Sequence, residues 1–479
     1  MFFWLFGWLM GSTGVELQGG YSSFTLEWQG QQSIAERGSE GQNAKFKIMR
    51  EIGIGLAGFG TVGAGVFLNL EKNRALLRER TGCDLVVRKV AVRDVGKKRA
   101  AALPSGLLTG QWRDLLEDPR IEVVVELMGG IEQPLELILL AIERGKIVVT
   151  GNKALLAEHG AEIFQRAAEK KVPVFYEAAV AGGIPIIKAV REAFVANHFQ
   201  RIRGIINGTS NYILTRMSES GLDFAAALAE AQEAGYAEAD PTLDVNGWDA
   251  GHKAVILASL AYGFWVPSQD VLVEGIERIA PEDIRFAAQL GYTLKLLAFI
   301  DAGADGAVEV SVQPALVPNA NILASVRGVF NAIAVRGDVV GDALFYGRGA
   351  GQDPTASSVL GDLADAALAL QSPRASYGFI PHTLYGKLRP ASDVVSPFYL
   401  RLGVDDKPGV LARIAGLLGE AGIGISSVIQ PETEEGAKAA LVLMIHDAPR
   451  GKMLSALEKI RALDCVHDEP ALYRVEAEA

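Results

Sequence analysis

Between Ile52 and about Arg80 the chain runs Ile52-Gly-Ile-Gly-Leu-Ala57, then Gly58-Phe-Gly60-Thr-Val-Gly63, then a helix-like stretch. An apolar strand, a glycine turn and a helix in that order leave few choices of fold. Gly58 permits a tight turn, Gly60 lets the backbone approach a pyrophosphate, and Gly63 allows the helix to pack closely on the strand, while the helix N-terminus stabilises the anion. A purely structural glycine turn uses the same residues, so the weight comes from the flanking strand and helix.

The pattern continues. Apolar strands are predicted over 85–92, 123–127, 147–150 and 174–176, alternating with helical segments, which implies an α/β fold: a Rossmann-type doubly wound parallel sheet over 49–180. With 479 residues, further domains are required. Over 181–345 the texture changes to strands at 201–206, 308–317 and 332–340 and Ala-rich helices at 224–234 and 250–262. This is an α+β domain suited to substrate binding, catalysis and dimerisation. Gly347-Arg-Gly-Ala-Gly351 precedes a helix predicted over 355–370, with Asp353 as its cap. The segment 346–371 is read as a helix returning to the nucleotide domain. Residues 372–397, rich in Pro, Ser and Tyr, read as a linker. The last segment, 398–479, restarts a β-α-β-β-α-β order, that of a ferredoxin-like domain.

A net charge of −11 without any long basic run argues against a nucleic-acid binder and leaves small molecules as the expected ligands. Cys83 and Cys465 lie far apart and lack paired-ligand spacing, so neither a disulfide framework nor a zinc site is expected, and a reducing cytoplasm fits best. Residues 1–10 are almost wholly apolar but carry no basic leader and are too short to span a bilayer; no membrane association is expected. Met49 stands directly before the first strand. The segment 1–48 is therefore expected to be a disordered or artefactual extension, with Met49 as the true start.

The most informative stretch is Ala231-Gln-Glu-Ala-Gly235-Tyr-Ala-Glu238-Ala-Asp240-Pro241-Thr-Leu-Asp244-Val-Asn-Gly247-Trp-Asp249-Ala-Gly-His-Lys253. Asp249 and Lys253 are four apart and share one helix face. By themselves they read as a surface ion pair. The string as a whole resembles the homoserine dehydrogenase signature, with Ala, Gly, Asp-Pro, Asp, Gly, Asp and the closing Lys in place. The resemblance extends to Gly58–Gly63, Thr150-Gly-Asn-Lys153, 177–185, Asn207-Gly-Thr-Ser210 and 347–355, hence most of 50–370.

That resemblance implies reversible, nicotinamide-dependent interconversion of L-homoserine and L-aspartate 4-semialdehyde, on the route to threonine, methionine and isoleucine. Hydride transfer at a carbonyl carbon demands a proton at the oxygen. Lys253 is the implied donor, Asp249 orients its ammonium, and Lys153 completes the catalytic set. Glu238 and Asp244 would hold the substrate's α-ammonium, with Lys153 and Thr209 as further substrate contacts, although a hydroxyl at such a turn also suits nearby backbone. If Lys153 and Lys253 are neighbours, mutual repulsion and burial would draw a lysine pKa from about 10.4 toward about 7 to 8.

The implied cofactor set is Gly58, Phe59, Gly60, Thr61, Val62 and Gly63 with Arg93, Gly129, Lys153 and Gly349. Arg93 comes first after the second strand, with Lys97 and Lys98 near, so NADP is favoured over NAD; solvated loop charges are the other reading of Arg93-Asp94. In the family the 177–184 segment can hold a monovalent cation, Na+ or K+, through backbone at Glu177, Val180, Gly182 and Ile184; close packing of small residues explains the same composition.

The C-terminal segment, with its Asp405-Asp-Lys-Pro-Gly409-Val-Leu-Ala turn, resembles an ACT domain. This implies side-by-side pairing, an amino-acid effector, expected to be threonine, and a homodimer or homotetramer. A dimerisation module without ligand is the alternative. Two other functions stay open: a semialdehyde oxidoreductase acting through a thioester, which needs a nucleophilic cysteine, and a non-catalytic amino-acid sensor on a nucleotide-binding scaffold.

Overall fold

The computed structural model describes residues 49–99, 103–372, 378–431 and 438–477; the extension expected at 1–48 lies outside them. Strand β1 (Arg50–Ala57) is buried over its last six positions, which is why it reads as an apolar run rather than an alternation. It is followed by α1 (Thr61–Lys72), α2 (Arg74–Thr81), β2 (Cys83–Ala91), β3 (Leu108–Thr109), α3 (Asp114–Glu117), β4 (Ile121–Glu126), α4 (Glu132–Glu143), β5 (Ile147–Thr150), α5 (Lys153–Lys170) and β6 (Val174–Phe175). The strands form a parallel sheet in the order β3-β2-β1-β4-β5-β6. Strand order reverses beside β1, so β1 and β4 flank the crevice in which such sheets bind ligands. The single helix-like stretch expected to reach Arg80 is two helices, because the Asn73 amide bonds back to the Asn69 carbonyl at the break.

The next region is built from α6 (Ile186–Lys188), β7 (Phe199–Ile205), α7 (Gly208–Ser220), α8 (Phe224–Glu233), α9 (Thr242–Val245), α10 (Trp248–Tyr262), β8 (Leu272–Val273), α11 (Pro281–Gln289), β9 (Tyr292–Ala302), β10 (Ala307–Pro318), β11 (Phe330–Gly337) and β12 (Gly341–Arg348). The main strands pair β12-β11-β7-β9-β10. The helix α10 is buried along nearly its whole length, so its Asp249 and Lys253 lie in the protein interior rather than on a solvated face. From β12 the chain enters α12 (Gln352–Gln371), whose Ala356, Val359 and Leu363 share a core with Ile52 and Val123 of the nucleotide sheet and Val66 of α1.

The C-terminal elements are β13 (Lys387–Leu388), β14 (Val395–Asp405), α13 (Val410–Glu420), β15 (Ile425–Ile429), β16 (Lys438–Pro449), α14 (Arg450–Arg461) and β17 (Ala471–Val475). Their order β17-β14-β16-β15 is that of a ferredoxin-like sheet, and β17 also pairs in parallel with β10. The two sheets are therefore continuous. Asp283, fully buried at the start of α11, accepts from Arg401 at 2.6 and 2.9 Å and from Tyr399 at 3.0 Å, which ties the C-terminal sheet to the middle of the chain.

Two expectations need correction, and two features carry no clear sequence pattern. The strand expected to run to Val340 stops at Gly337; residues 338–340 turn the chain, and the sequence reading ran through the reversal into β12. The eleven-residue β9 went unpredicted although it lies inside the second sheet. Asp353 does not cap α12, which begins at Gln352, so this carboxylate sits in the first turn. The described part of the segment read as a linker packs on the core: Phe379 lies 5.5 Å from the Trp265 ring, Tyr385 lies 4.9 Å from that of Tyr262, and β13 pairs with β10. Its anchors are single aromatics at irregular spacing, which leave no periodic signal.

Candidate active site

At the carboxyl end of β1 the turn matches the glycine pattern physically. Gly58 has φ of +98°, and a Cβ there would lie 2.3 Å from the Leu127 carbonyl; a Cβ on Gly63 would lie 2.4 Å from the Gly58 carbonyl. Gly60 faces open space, and no side chain caps α1. The first amides of α1, at Thr61, Val62 and Gly63, thus remain unsatisfied by any cap and face a cradle that only a bare backbone leaves open, which fits a pyrophosphate. Phe59 packs against Phe67 with ring centroids 6.0 Å apart.

Opposite, the loops after β4 and β5 are fixed by Glu126. This carboxylate, fully buried at the end of β4, accepts from the Met128 amide at 2.8 Å and the Thr150 hydroxyl at 2.7 Å. Burial pushes its pKa up, against those hydrogen bonds. Asn152 then donates to the Gly130 carbonyl at 2.7 Å, so Gly129 and Lys153 are carried on two linked loops beside the crevice. Sequence reasoning missed Glu126. Its one signal was a charged residue directly after the apolar run Val123-Val-Val125.

Lys153 begins α5 and reaches Asp249 Oδ1 at 3.2 Å. Lys253 donates to Asp249 Oδ2 at 2.6 Å and to the Ile206 carbonyl at 2.7 Å. The third hydrogen on Lys253 Nζ has no partner among the described residues. Burial pushes the Asp249 carboxyl up, but the Lys253 and Lys153 ammonium groups outweigh it and hold the group well below the usual carboxylate range. The two lysines are thus neighbours joined through a carboxylate. Their mutual repulsion is offset by the charge between them.

Asn207, also overlooked as a site residue, donates from one Nδ2 to Asp249 Oδ2 at 2.8 Å and to Asp244 Oδ1 at 2.7 Å. Burial first, then the Asp249 charge, push Asp244 up. Gly247, with φ of +87°, makes the turn that separates Asp244 on α9 from Asp249 on α10. The other predicted contacts are placed differently. Glu238 is on an exposed loop with no side-chain partner among the described residues. The Thr209 hydroxyl donates to the Tyr236 carbonyl at 2.8 Å and so pins that loop.

A Cβ on Gly349 would lie 1.9 Å from Asn331 Nδ2, so the absence of a side chain there is explained by the Asn331 amide packed on it. Arg93 is exposed past the end of β2 and makes no ion pair among the described residues, whereas Asp94 Oδ1 accepts from the Gly96 amide at 2.8 Å.

In the segment expected to hold a cation, the Glu177 carbonyl accepts from the Val180 amide, that of Gly182 from the Ser358 hydroxyl, and that of Ile184 from the Ile186 amide at 2.8 Å. Three of the four carbonyls thus already have protein partners, and the Glu177 side chain holds the Ile187 and Lys188 amides at 2.9 and 2.8 Å. Each of these carbonyls keeps a second lone pair, so the hydrogen bonds account for the packing of the segment without deciding whether it holds a cation.

Three family models match in succession: "Homoserine dehydrogenase, NAD binding domain" over 58–177, "Homoserine dehydrogenase" over 185–364 and "ACT domain" over 398–465. The chain belongs to the homoserine dehydrogenase family. A homoserine dehydrogenase of Pseudomonas aeruginosa is 43% identical over 437 residues, covering 89% of this chain and 99% of that one. One from Helicobacter pylori is 40% identical over 430 residues, covering 90% of this chain and all of its own length. Among solved structures, a homoserine dehydrogenase from Thiobacillus denitrificans superposes with a TM-score of 0.84 at 42% identity, over 89% of this chain and 99% of that one. A hyperthermophilic archaeal homoserine dehydrogenase in complex with NADPH superposes with a TM-score of 0.56 at 26% identity, over 68% of this chain and all of that one. Membership makes the chain an oxidoreductase with a nicotinamide-binding domain and a C-terminal ACT domain. Among the described residues no helix is long and apolar enough to cross a membrane.

Proposed function

We propose that the chain interconverts L-homoserine and L-aspartate 4-semialdehyde, with Lys253 as the proton-transferring group, in the cytoplasmic synthesis of threonine, methionine and isoleucine. The observation that carries this reading is the Asp249 carboxylate joining Lys253, Lys153 and Asn207 beside Asp244. The nicotinamide, when bound, exchanges hydride with the carbonyl carbon. Lys253, held by Ile206 and Asp249, keeps one N–H directed away from both partners, and that hydrogen is the one to share with the substrate oxygen. Asp249 fixes the direction of that ammonium and, through Lys153, ties α10 to the nucleotide domain. Asp244 and the unpartnered Glu238 receive the substrate's ammonium, which a plain hydroxy acid lacks.

The α1 N-terminus, Gly60 and the loops at Gly129 and Lys153 would hold the dinucleotide. Arg93 favours NADP, because its guanidinium is free to meet a 2′-phosphate while Asp94 is engaged in its own turn. The thioester alternative loses support from both thiols: Cys83 is buried at the amino end of β2, away from the carboxyl-end crevice, and Cys465 is buried in the C-terminal core. An amino-acid effector, threonine on the family's pattern, fits the open pocket around Asp405, Lys407, Gly409 and Gln430. A homodimer or homotetramer belongs to the same reading, supported by Leu344 and Tyr346 exposed on the edge strand β12. Steady-state rates with homoserine and NADP or NAD, with and without threonine, test all parts. Absence of turnover with either nicotinamide would reject the activity, and unchanged rate and thermal stability in threonine would reject the effector.

A further inference from the structure

Asn207 does two separate jobs with the two ends of one amide. Its Oδ1 accepts from the Ser210 amide at 2.7 Å and so caps α7. Its Nδ2 splits its two hydrogens between Asp244 and Asp249, at 2.7 and 2.8 Å. The side chain is buried, 5% exposed. Two carboxylates that touch one nitrogen are close neighbours, and buried like charges at that separation push one of the pair to take up a proton unless something offsets them.

Asp249 is offset by two ammonium groups. Asp244 makes no ion pair among the described residues, and Asn207 is the one side chain that donates to it. The charged groups acting on Asp244 are Asp249 and Lys253 on α10 and Lys153 at the start of α5. From α7, Ser210 contributes its hydroxyl to the Asp244 backbone carbonyl. Glu274, on the segment packed across Gly247, is paired with Arg450.

The geometry points to Asn207 as a positioning residue of the reaction: one amide nitrogen couples the carboxylate that meets the substrate's ammonium to the carboxylate that orients the proton-transferring lysine. This rests on the roles assigned to Asp244 and Asp249 above. Its consequence is that Asp244 stays charged, and turned toward the substrate, before any ammonium arrives. The site is then preorganised for an amino acid rather than assembled by one.

The capping and donating functions are separable. Asn207→Asp keeps the shape and the capping oxygen, since Asp caps helices as well as Asn, but replaces the shared donor with a third acceptor. Asn207→Ser keeps a capping oxygen and is too short to reach both carboxylates. Both variants should fold with a lowered thermal midpoint, because two buried carboxylates lose their donor, and should retain the KM for NADP of the full-length enzyme. For homoserine, the acid limb of kcat/KM should move up by about one pH unit, and KM at neutral pH should rise about tenfold, with a smaller loss in kcat at alkaline pH.

If either variant folds and keeps both the limb and the homoserine KM of the parent, Asn207 is only a cap and the inference is overturned. Asp244→Asn separates the two levels of the reading. A raised homoserine KM in Asp244→Asn beside an unmoved limb in the Asn207 variants sinks the positioning role alone. An unchanged KM in Asp244→Asn sinks the ammonium contact, and this inference with it.

Discussion

Replacing Lys253 with alanine removes the group that every catalytic role in this site converges on, and the structure allows both of its costs to be worked out. Nζ makes two hydrogen bonds, to Ile206 O at 2.7 Å and Asp249 Oδ2 at 2.6 Å, and offers its third hydrogen to the substrate. Losing a positioned acid-base group lowers turnover by about 10²- to 10⁴-fold, or about 3–5 kcal/mol in activation free energy. Breaking a buried ion pair from one side costs about 3–5 kcal/mol of stability. Asp249 keeps Lys153 at 3.2 Å and Asn207 at 2.8 Å, so a loss of about 2 kcal/mol is expected here.

The sign with pH follows from Asp249. Its folded-state pKa lies below the unfolded one, so its stabilisation is present above the unfolded pKa and is lost as pH falls through the folded value. Without Lys253 that folded value rises, and the variant should unfold at a higher pH on acidification than the parent. Cofactor binding, governed by the β1–α1 turn and the loops after β4 and β5, should be unchanged. The assay is kcat and KM for homoserine and NADP, with urea unfolding at several pH values. A kcat within tenfold of the parent, in a folded protein that binds NADP normally, refutes the assignment of the proton to this amine.

Arg93→Glu should raise the KM for NADP by about tenfold or more while leaving that for NAD nearly unchanged; an equal effect on both cofactors means that Arg93 is a solvated loop charge. Asp283→Asn weakens the acceptor of Arg401, Tyr399 and Tyr473 and should cost about 3–5 kcal/mol. It should also split thermal unfolding so that the C-terminal domain melts first, and calorimetry that keeps one transition at the parent midpoint would contradict the anchoring. Lys295 is 2% exposed, with Asn211 Oδ1 and the Val326 carbonyl as partners, and burial lowers its pKa to about 8. Because the neutral amine is the form the fold prefers, the penalty is absent above the unfolded pKa, grows as pH falls toward 8 and is complete below it. Lys295→Met should therefore gain most over the parent below pH 8, and a stability difference that is flat between about pH 7 and 10.5 would contradict the buried charge.

Much of this protein is written locally. The glycine turn between β1 and α1 is legible as a short spacing, since a Cβ at Gly63 would meet the Gly58 carbonyl nearby in the chain, whereas the atom that excludes a Cβ at Gly58 is the distant Leu127 carbonyl. The strands of the nucleotide sheet are legible because burial on both faces makes them apolar throughout. The string from Ala231 to Lys253 carried the family because its acids, glycines and lysine are fixed relative to one another by the end of α8, the short α9, the start of α10 and left-handed turns at Gly235 and Gly247.

What the sequence left open depends on residues far apart in the chain. The meeting of Lys153 and Lys253 on one carboxylate, the sharing of Asn207 between Asp244 and Asp249, and the fixing of two loops by Glu126 all join residues from different elements. No periodicity encodes them. The packing of 379–388 onto the core and the pairing of β17 with β10 are likewise invisible locally, because they draw on isolated aromatics and backbone groups rather than on a pattern. Residue types and short spacings determined which chemistry this chain can carry. Only the folded arrangement, by bringing charges to hydrogen-bonding distance in a setting of low dielectric, decided which of those groups act together.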